Sequence, residues 1–370
     1  MKQYYCGMDL HSNNTFIGIL DEKDKRIFQK RSPNNIKGIL EYLNPFKEYI
    51  SGVVVESTFN WYWLVDGLME TDYKVHLAHP PAIVQYNGLK NQDDKHSAFH
   101  LAMLLRLGIL PEGHIFPKEE RHIRDLLRKR LMMVQNSTKY ILNFKSMVNR
   151  NLSTTISSND IKKLKSDQLS KFFKNPHLLL SAQCSVSAIN YFQHEIKIIE
   201  REILKAATLK SEFQILLTAP GIGNILGLTI ALETGDIKRF SKVGNYASYC
   251  RNVTSIRSSN NKKKGINNKR NGNKYLSWAY LEAAHKLRRY CPEAKEFYER
   301  KKRKTNTVVA IKALAHKLCR ACYYMMKDNV AFDIEKIFGK PIKSLNKGYG
   351  SKSKRGLATK PNAPIDNTAA

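Results

Sequence analysis

The sequence predicts an α/β domain at the N-terminus, a long helical segment after it and a mostly helical C-terminal domain. Three β-prone runs come first, near 3–10, 15–20 and 26–30. A helical pattern, a strand at 52–56, a second helical pattern and a strand at 74–78 follow. This order is typical of a ribonuclease-H-like (RuvC-like) domain, a mixed sheet with helices on both faces. A doubly wound nucleotide-binding fold is disfavoured, because no Gly-rich phosphate loop follows the first strand.

Two of these strands carry an acid at or near their end. Asp9 lies in the first β-prone run, and Glu56 follows the apolar run Val53-Val54-Val55. An unpaired carboxylate in a buried strand is costly, so each acid needs a partner. Taken singly, either acid could start a turn or cap a helix. The pair favours a divalent-metal site built on one sheet, for which we expect Mg²⁺, with Mn²⁺ as an alternative.

A polar loop and a helical pattern occupy 90–110. Asp93 and Asp94 stand at the start of the helix. Acids in a first helical turn interact favourably with the positive end of the helix dipole. Asp94 could instead be a third metal ligand beside Asp9 and Glu56, and the residues alone leave both interpretations open.

The segment from 118 to about 210 is almost wholly helical by its apolar spacing, with a polar break predicted at 153–160. The second half repeats apolar residues at steps of three and four, from Val186 to Ile203. This spacing is close to a heptad and indicates an antiparallel or an intersubunit coiled coil. We expect it to serve spacing and dimerisation.

Pro220-Gly221-Ile222-Gly223 lies between two apolar helical patterns and resembles a helix-hairpin-helix turn. The backbone N–H groups of Gly221 and Gly223, together with the following helix N-terminus, could hold a DNA phosphate. An ordinary helix-to-helix turn is an equally good interpretation.

The stretch 251–275 contains eight basic residues and no acid. Basic loops rich in Gly and Asn usually follow a phosphate backbone. Its serines, Ser258 and Ser259, could be phosphate donors or, if activated, a nucleophile. We expect these basic residues to contact nucleic acid: Arg257, Lys262, Lys263, Lys264, Lys269, Arg270 and Lys274.

Helical patterns at 276–289, 293–304 and 306–327 complete the C-terminal part. His316, Cys319 and Cys322 fall on one face of the last helix. A zinc site would need a fourth ligand, so we interpret these residues as core packing.

The composition predicts a polyanionic partner. The 370 residues include 62 Lys and Arg against 32 Asp and Glu, a formal net charge of +30, and the isoelectric point is near 9.8. Such an excess is typical of proteins that bind nucleic acid. We expect no membrane partner, because the sequence has no long apolar span or basic amphipathic anchor. Six scattered cysteines and a strand at the N-terminus in place of a signal peptide indicate the cytoplasm.

These patterns predict four segments. The RuvC-like domain takes 1–112, and a helical, coiled-coil linker for dimerisation takes 113–210. A C-terminal domain with the helix-hairpin-helix-like turn and the serine loop takes 211–335. A disordered basic tail takes 336–370.

Short motifs from about residue 4 to 332 resemble those of one protein family. In the N-terminal half they are Gly7-Met8-Asp9-Leu10-His11, Val54-Val55-Glu56-Ser57-Thr58, Asp94-Lys95-His96-Ser97-Ala98 and 104–111. In the C-terminal half they are Pro220-Gly221-Ile222-Gly223, the serine–lysine loop and 271–276. Each motif is short, but their order and spacing together are specific. The sequence resembles the DEDD transposases of the insertion-sequence 110 family, in particular its 1111 branch.

The resemblance implies which residues carry the chemistry. The family has four acids, the last two separated by two residues, and a serine in the C-terminal domain. Asp9, Glu56 and Asp94 match the first three acids, and Ser97 stands where the fourth, an Asp, is expected. The nucleophile matches Ser259, or Ser258 if the motif is counted back from Gly272 without a gap.

The resemblance also implies an RNA-guided DNA recombinase. A structured guide (bridge) RNA pairs with donor and target DNA, and the protein binds this RNA as a dimer and then a tetramer. The serine forms a covalent link to a DNA strand, with Mg²⁺ held by the carboxylates. We therefore expect a bacterial cytoplasmic, nucleoid-associated enzyme of transposition.

Two other functions stay open at this point. A structure-selective nuclease, similar to a Holliday-junction resolvase, would use water in place of serine. A non-catalytic nucleic-acid-binding remnant of a transposase is the second alternative, and Ser97 favours it.

Overall fold

The structure is a computed structural model that describes residues 2–83, 93–205, 210–253, 257–260, 262–265 and 271–339. The N-terminal elements are β1 (Tyr4–Leu10), β2 (Asn14–Asp21), β3 (Arg26–Pro33), α1 (Ile36–Leu43), β4 (Ile50–Glu56), α2 (Tyr62–Met69), β5 (Val75–Ala78) and α3 (Asp94–Arg106). The middle elements are α4 (Lys118–Leu152), α5 (Ser158–Ile161) and α6 (Pro176–Lys205). The C-terminal elements are α7 (Glu212–Leu216), α8 (Asn224–Thr234), α9 (Val243–Tyr249), β6 (Arg257–Ser259), β7 (Lys262–Gly265), α10 (Lys274–Tyr290), α11 (Pro292–Lys304), α12 (Thr307–Asp328) and α13 (Ile334–Phe338).

The N-terminal elements form the predicted ribonuclease-H-like fold. The five-stranded sheet has the order β3-β2-β1-β4-β5. The first three strands are antiparallel neighbours, while β4 runs parallel to both β1 and β5. The predicted order of strands and helices is therefore confirmed.

The two faces of this sheet pack against different helices. Met8 and Val55 contribute to the core beneath α1 and α2, whereas Val54 packs with α3 residues on the other face. Side chains alternate between faces along a strand, so Gly7 and Asp9 face α3. A Cβ atom at Gly7 would lie 1.9 Å from the carbonyl oxygen of Ala98. Glycine at this position lets α3 lie directly against the sheet, next to Asp9.

Helices α4 and α6 form an antiparallel pair within the chain. Leu127 of α4 shares a core with Ile203 of α6, and Val148 shares another with Val186. The antiparallel alternative is thus the one that this chain adopts, while the intersubunit role stays a prediction.

The predicted break at 153–160 is too short. Helix α4 ends at Leu152, with Ser153 in the left-handed region (φ 47°), and α6 begins only at Pro176. The apolar residues between them, such as Ile161 and Phe173, pack into the core of the pair. A short helix and a 3₁₀ turn allow this packing, which a continuous helix would not.

The C-terminal helices pack around α12. Cys319 and Cys322 are fully buried in their common core, as the core-packing interpretation predicts. Helix α13 extends to Phe338, so helical structure continues past the predicted start of the tail at 336. Residues 340–370 of that predicted tail lie outside the described residues. No helix in the described ranges is long and apolar enough to span a membrane.

Glu233 connects the linker helix to the C-terminal helices. It is fully buried in α8, and its carboxylate accepts hydrogen bonds from Arg124 (2.9 Å) and Arg128 (2.6 and 2.8 Å) of α4. The Asn273 side chain, which caps α10, donates a fourth at 2.7 Å. Burial alone would raise the pKa of Glu233, but the hydrogen bond and charge of Arg128, with the charge of Arg124, lower it.

Replacing Glu233 with Gln is expected to destabilise the protein by about 3–5 kcal/mol, because two arginines then lose their buried partner. The stability that this carboxylate contributes is present above its unfolded-state pKa and is lost as the pH falls through its lower folded-state pKa. The measurement is urea denaturation at neutral pH. Glu200→Gln is the matched control, because the Glu200–Arg130 pair (2.6 Å) is partly exposed and is worth about 0–1 kcal/mol. Equal losses in the two variants would contradict this prediction.

Candidate active site and metal centre

The three predicted acids converge at one edge of the sheet. Strands β1 and β4 are parallel neighbours in which Met8 pairs with Val55. The next residues along the two strands, Asp9 and Glu56, therefore come side by side. Asp94, in the first turn of α3, reaches the same place from above the sheet. All three line a cleft of about 330 Å³.

The carboxyl groups of Asp9 and Glu56 are close enough to share a proton. They are hydrogen-bonded to each other. Burial raises the pKa of both groups, and the neighbouring Asp9 carboxylate helps to raise that of Glu56 to about 7. Two adjacent buried carboxyls cannot both ionise cheaply unless a cation joins them.

His11 and Arg31 contact the acids, although neither is among the residues predicted for the site. His11 Nε2 lies 3.5 Å from Asp9 Oδ2 and 3.1 Å from Asp94 Oδ1, and Arg31 Nη2 lies 2.6 Å from Asp94 Oδ2. Partial burial would raise the pKa of Asp94, but the hydrogen bond from Arg31 and the contact with His11 lower it. His11 could have been found by its spacing, because it lies two residues after Asp9 and one after the end of β1, and residues two apart along an extended chain share a face.

No local signal points to Arg31, because the sheet register places it. Asp9 pairs with Phe16, and Phe16 pairs with Arg31. The three residues form one row across the sheet, on the α3 face. The Arg31 guanidinium crosses above the Phe16 ring at 5.8 Å and so reaches Asp94.

Asp93 and Ser97 also line the cleft, in different roles. The Asp93 side chain accepts a hydrogen bond from the His96 backbone N–H at 2.6 Å and so caps α3. Asp93 therefore has a structural place at the start of α3, which is compatible with the helix-dipole interpretation, whereas Asp94 contacts His11 and Arg31. Ser97 lies one helical turn after Asp94, where the family pattern expects an acid.

The predicted serine loop is partly a β-hairpin. Ser259 pairs with Lys262 near the turn, at which Asn260 has a φ of 50°. Ser259 is exposed, while the Ser258 side chain lies outside the described part. The Arg251 Nε atom donates to the carbonyl oxygens of Asn271 and Gly272 at 3.0 Å, which closes the base of the segment. None of the described hairpin residues lines the acid cleft.

The predicted nucleic-acid contacts of this segment are described only in part. Lys262, Lys264 and Lys274 are exposed. Arg257 and Lys263 lie in the hairpin strands, but their side chains fall outside the described part. Lys269 and Arg270 lie outside it entirely.

The Pro220–Gly223 turn joins α7 to α8, as predicted. Gly221 has a φ of 94°, and a Cβ there would lie 2.6 Å from the backbone nitrogen of Leu287. Glycine at 221 is therefore needed for packing against α10. Gly223, by contrast, is exposed at the start of α8, which leaves it as the more accessible of the two predicted phosphate contacts.

Comparison with known families decides the identity. Residues 6–152 match the model of the DEDD transposases of the IS110 group, described as "Transposase". Residues 213–299 match a model described as "Transposase IS116/IS110/IS902 family". The chain is an IS110-family transposase. No curated protein matches it significantly.

An IS110-family transposase cuts and rejoins DNA, so the chain is an enzyme with DNA as its partner. Its DEDD model also implies the use of a divalent metal. The cleft fits this requirement, because ligand atoms of Asp9, His11 and Asp94 lie within 4.8 Å of one another. Carboxylate oxygens suit Mg²⁺ and Mn²⁺, and the imidazole nitrogen favours the softer ion.

Proposed function

We propose that this transposase cuts DNA by attack of Ser259 on a strand, under the guidance of a structured RNA, with Asp9, Glu56 and Asp94 as metal ligands. The observation that carries the proposal is the convergence of the three acids, distant in sequence, in one cleft beside the Ser97 hydroxyl. Asp9 is only 5% exposed, so water does little to stabilise its carboxylate charge. A bound cation would compensate that charge.

The chemistry of this proposal is transesterification. The Ser259 hydroxyl loses its proton as its oxygen attacks a DNA phosphorus in line. The bond from phosphorus to one deoxyribose oxygen breaks, that oxygen takes up a proton, and the strand stays attached to the protein through the serine. The released hydroxyl can reverse the step, so rejoining needs no ATP. A divalent ion in the cleft would polarise the phosphate and neutralise its developing charge. Asp9, Glu56 and Asp94 would hold that ion.

We further propose that the acids and the serine of one reaction come from different subunits of a dimer or tetramer. The proposal is supported by the cleft, to which no described hairpin residue contributes. It would restrain cleavage until the subunits assemble on DNA. The membership of the 1111 branch is part of the same proposal and rests on the motifs of the sequence.

Guidance by RNA is supported by charge. A net charge of +30 fits a chain that holds both an RNA and a DNA backbone. The sequence also has no recognised base-reading module, such as a zinc finger or a homeodomain. Base pairing by a guide RNA would supply the specificity.

A hydrolytic nuclease is the second candidate. It is favoured by one observation, that all the residues lining the acid cleft come from the N-terminal elements. This candidate predicts hydrolysed ends and no bond between protein and DNA.

The test is to incubate the purified chain and Mg²⁺ with donor and target DNA, with and without RNA transcribed from the DNA that flanks the gene. The products are denatured and examined for protein–DNA adducts and joined strands. We expect both only with the matching RNA, and not with a scrambled one. Cleavage without an adduct would favour the hydrolytic nuclease, and adducts independent of RNA would exclude guidance.

Ser97→Asp is expected to increase strand cleavage at limiting Mg²⁺ by about 10-fold or more, because a carboxylate is a stronger ligand for a hard cation than a hydroxyl. The measurement is a cleavage assay titrated with Mg²⁺ and Mn²⁺. Ser97→Asn is the control, since it adds similar bulk without charge. If the Asp variant and the original chain have equal rates and metal dependence, residue 97 lies outside the metal site.

A further inference from the structure

A second cavity, of about 720 Å³, lies far along the chain from the acids, between α11, α12 and α13. We call it the α12 cavity, because one face of α12 forms its longest wall. Its size is in the range of sites that bind organic ligands.

The amphipathic pattern of α12 explains this wall. Lys317, Arg320 and Tyr324 follow one another at spacings of three and four residues and line the cavity. Leu318 and Cys322, on the opposite face, are fully buried in the C-terminal core. Core packing therefore holds α12 in place and directs the basic and aromatic side chains into the cavity.

The cations of the α12 cavity have few counter-charges. In the described part of the chain, no carboxylate lies within ion-pair distance of Lys301, Lys317 or Arg320. Asp328 and Asp333 also line the cavity, and the Asp333 side chain already accepts a hydrogen bond from the Lys336 backbone N–H at 3.0 Å. Four basic residues, Lys301, Lys317, Arg320 and Lys336, stand against these two carboxylates. Burial, then the charges of Arg320 and Arg300, lower the pKa of Lys317. The site therefore favours an anion.

Aromatic rings accompany these cations. Tyr324 is 46% exposed and packs edge-on against Tyr323, with the ring centroids 5.2 Å apart. The Lys317 ammonium lies 5.4 Å from the Phe297 ring centroid. An exposed ring beside unpaired cations is typical of sites in which a base stacks and its phosphate is held.

We infer that the α12 cavity binds one nucleotide of a single-stranded nucleic acid, with the base stacked on Tyr324 and the phosphate held by Lys317 and Arg320. In a duplex each base is already stacked on its neighbours on both sides, so a duplex would not offer a free base face to Tyr324. The sequence after Phe338 has seven lysines and arginines against one acid, Asp366, so it adds no net negative charge to the chain. The inference rests on the proposed function only in requiring that single strands arise during the reaction.

The test measures binding of a fluorescent single-stranded oligonucleotide to the full chain, without guide RNA or metal. Tyr324→Ala is expected to weaken binding by about 5- to 100-fold, the effect of losing one stacked base, and Arg320→Gln should reduce both the affinity and its salt dependence. Tyr290→Ala and Arg289→Gln are the matched controls, because both residues are exposed on α10 and do not line the cavity. Iodouracil in the oligonucleotide should crosslink to the peptide that contains Tyr324.

Each outcome decides between defined alternatives. Equal losses for Tyr324→Ala and Tyr290→Ala, or crosslinks only elsewhere, would overturn the inference. A loss for Arg320→Gln without one for Tyr324→Ala would overturn base stacking and leave a phosphate contact. Ribose and deoxyribose versions of the oligonucleotide distinguish an RNA from a DNA strand. The binding assay measures no cleavage, so it can fail or succeed independently of the adduct assay. Tyr324-dependent binding without a protein–DNA adduct would support the α12 cavity and contradict the proposed function. An adduct without Tyr324-dependent binding would support the proposed function and overturn this inference.

Discussion

Replacing Asp9 with Asn is expected to lower DNA strand cleavage by roughly 1,000-fold, because a metal that stabilises the transition state by several kcal/mol loses a charged ligand. Asp9 lies between the other groups of the cleft, with Glu56 hydrogen-bonded to it and His11 Nε2 at 3.5 Å. Glu56 and Asp94 remain in the cleft of this variant, but Asp94 already contacts Arg31. The measurement is a cleavage assay over a wide range of Mg²⁺ concentrations.

The loss of activity should not be a loss of folding. Burial raises the pKa of Asp9 and brings that of Glu56 to about 7. Stability from the protonated Glu56 is present below its ordinary pKa of 4.5 and is lost as the pH rises through about 7. Asn at position 9 removes the charge that opposes ionisation of Glu56. In EDTA we therefore expect the variant to resist urea at pH 8 at least as well as the original chain.

Asp93→Asn is the matched control for Asp9→Asn, with the same chemical change in the same cleft. Asp93 caps α3 through a hydrogen bond to the His96 backbone N–H, and Asn caps helices equally well. This control should retain most of its activity. Equal activity of the Asp9 and Asp93 variants would remove Asp9 from the metal site.

Replacing Ser259 with Ala is expected to abolish the covalent protein–DNA adduct, because no other nucleophile occupies its place in the hairpin. Ser258→Ala is the control. Ser258 is the preceding residue of β6, so its replacement is the same chemical change one position away. Ser259 is exposed near the turn, opposite Lys262, a cation that can hold that phosphate.

The assay traps the adduct under denaturing conditions and measures DNA affinity in parallel. Both variants should bind DNA within about 2-fold of the original chain, since the lysines that supply most of the affinity remain. An adduct that persists with Ser259→Ala but disappears with Ser258→Ala would move the nucleophile by one residue. An adduct in both variants would exclude the hairpin.

The order of strands and helices in the N-terminal part could be predicted from the sequence, because local patterns determine it. Apolar runs, helical spacing and turn residues act over a few positions and are visible without a fold. The acids could be singled out for the same reason. An acid within or directly after a buried strand, as at Asp9 and Glu56, is costly wherever that strand packs.

Only the tertiary structure decided which residues surround those acids. Arg31 reaches Asp94 through the register of three strands, across Phe16, and register follows from the packing of the whole sheet. Glu233 gives no sequence signal of its own, yet α4 supplies two arginines from more than 100 positions away. The α12 cavity likewise depends on the tertiary structure, because residues of three helices, α11, α12 and α13, line it.

The sequence by itself determined the family, through the order and spacing of its short motifs, and the residue types available for catalysis. The tertiary structure decided that His11 joins the acids, that Gly221 packs against α10 and that the described serine hairpin does not line the cleft. The physical reason is distance along the chain. Contacts between neighbouring residues follow from local propensity, whereas contacts between distant ones exist only once the cores have packed.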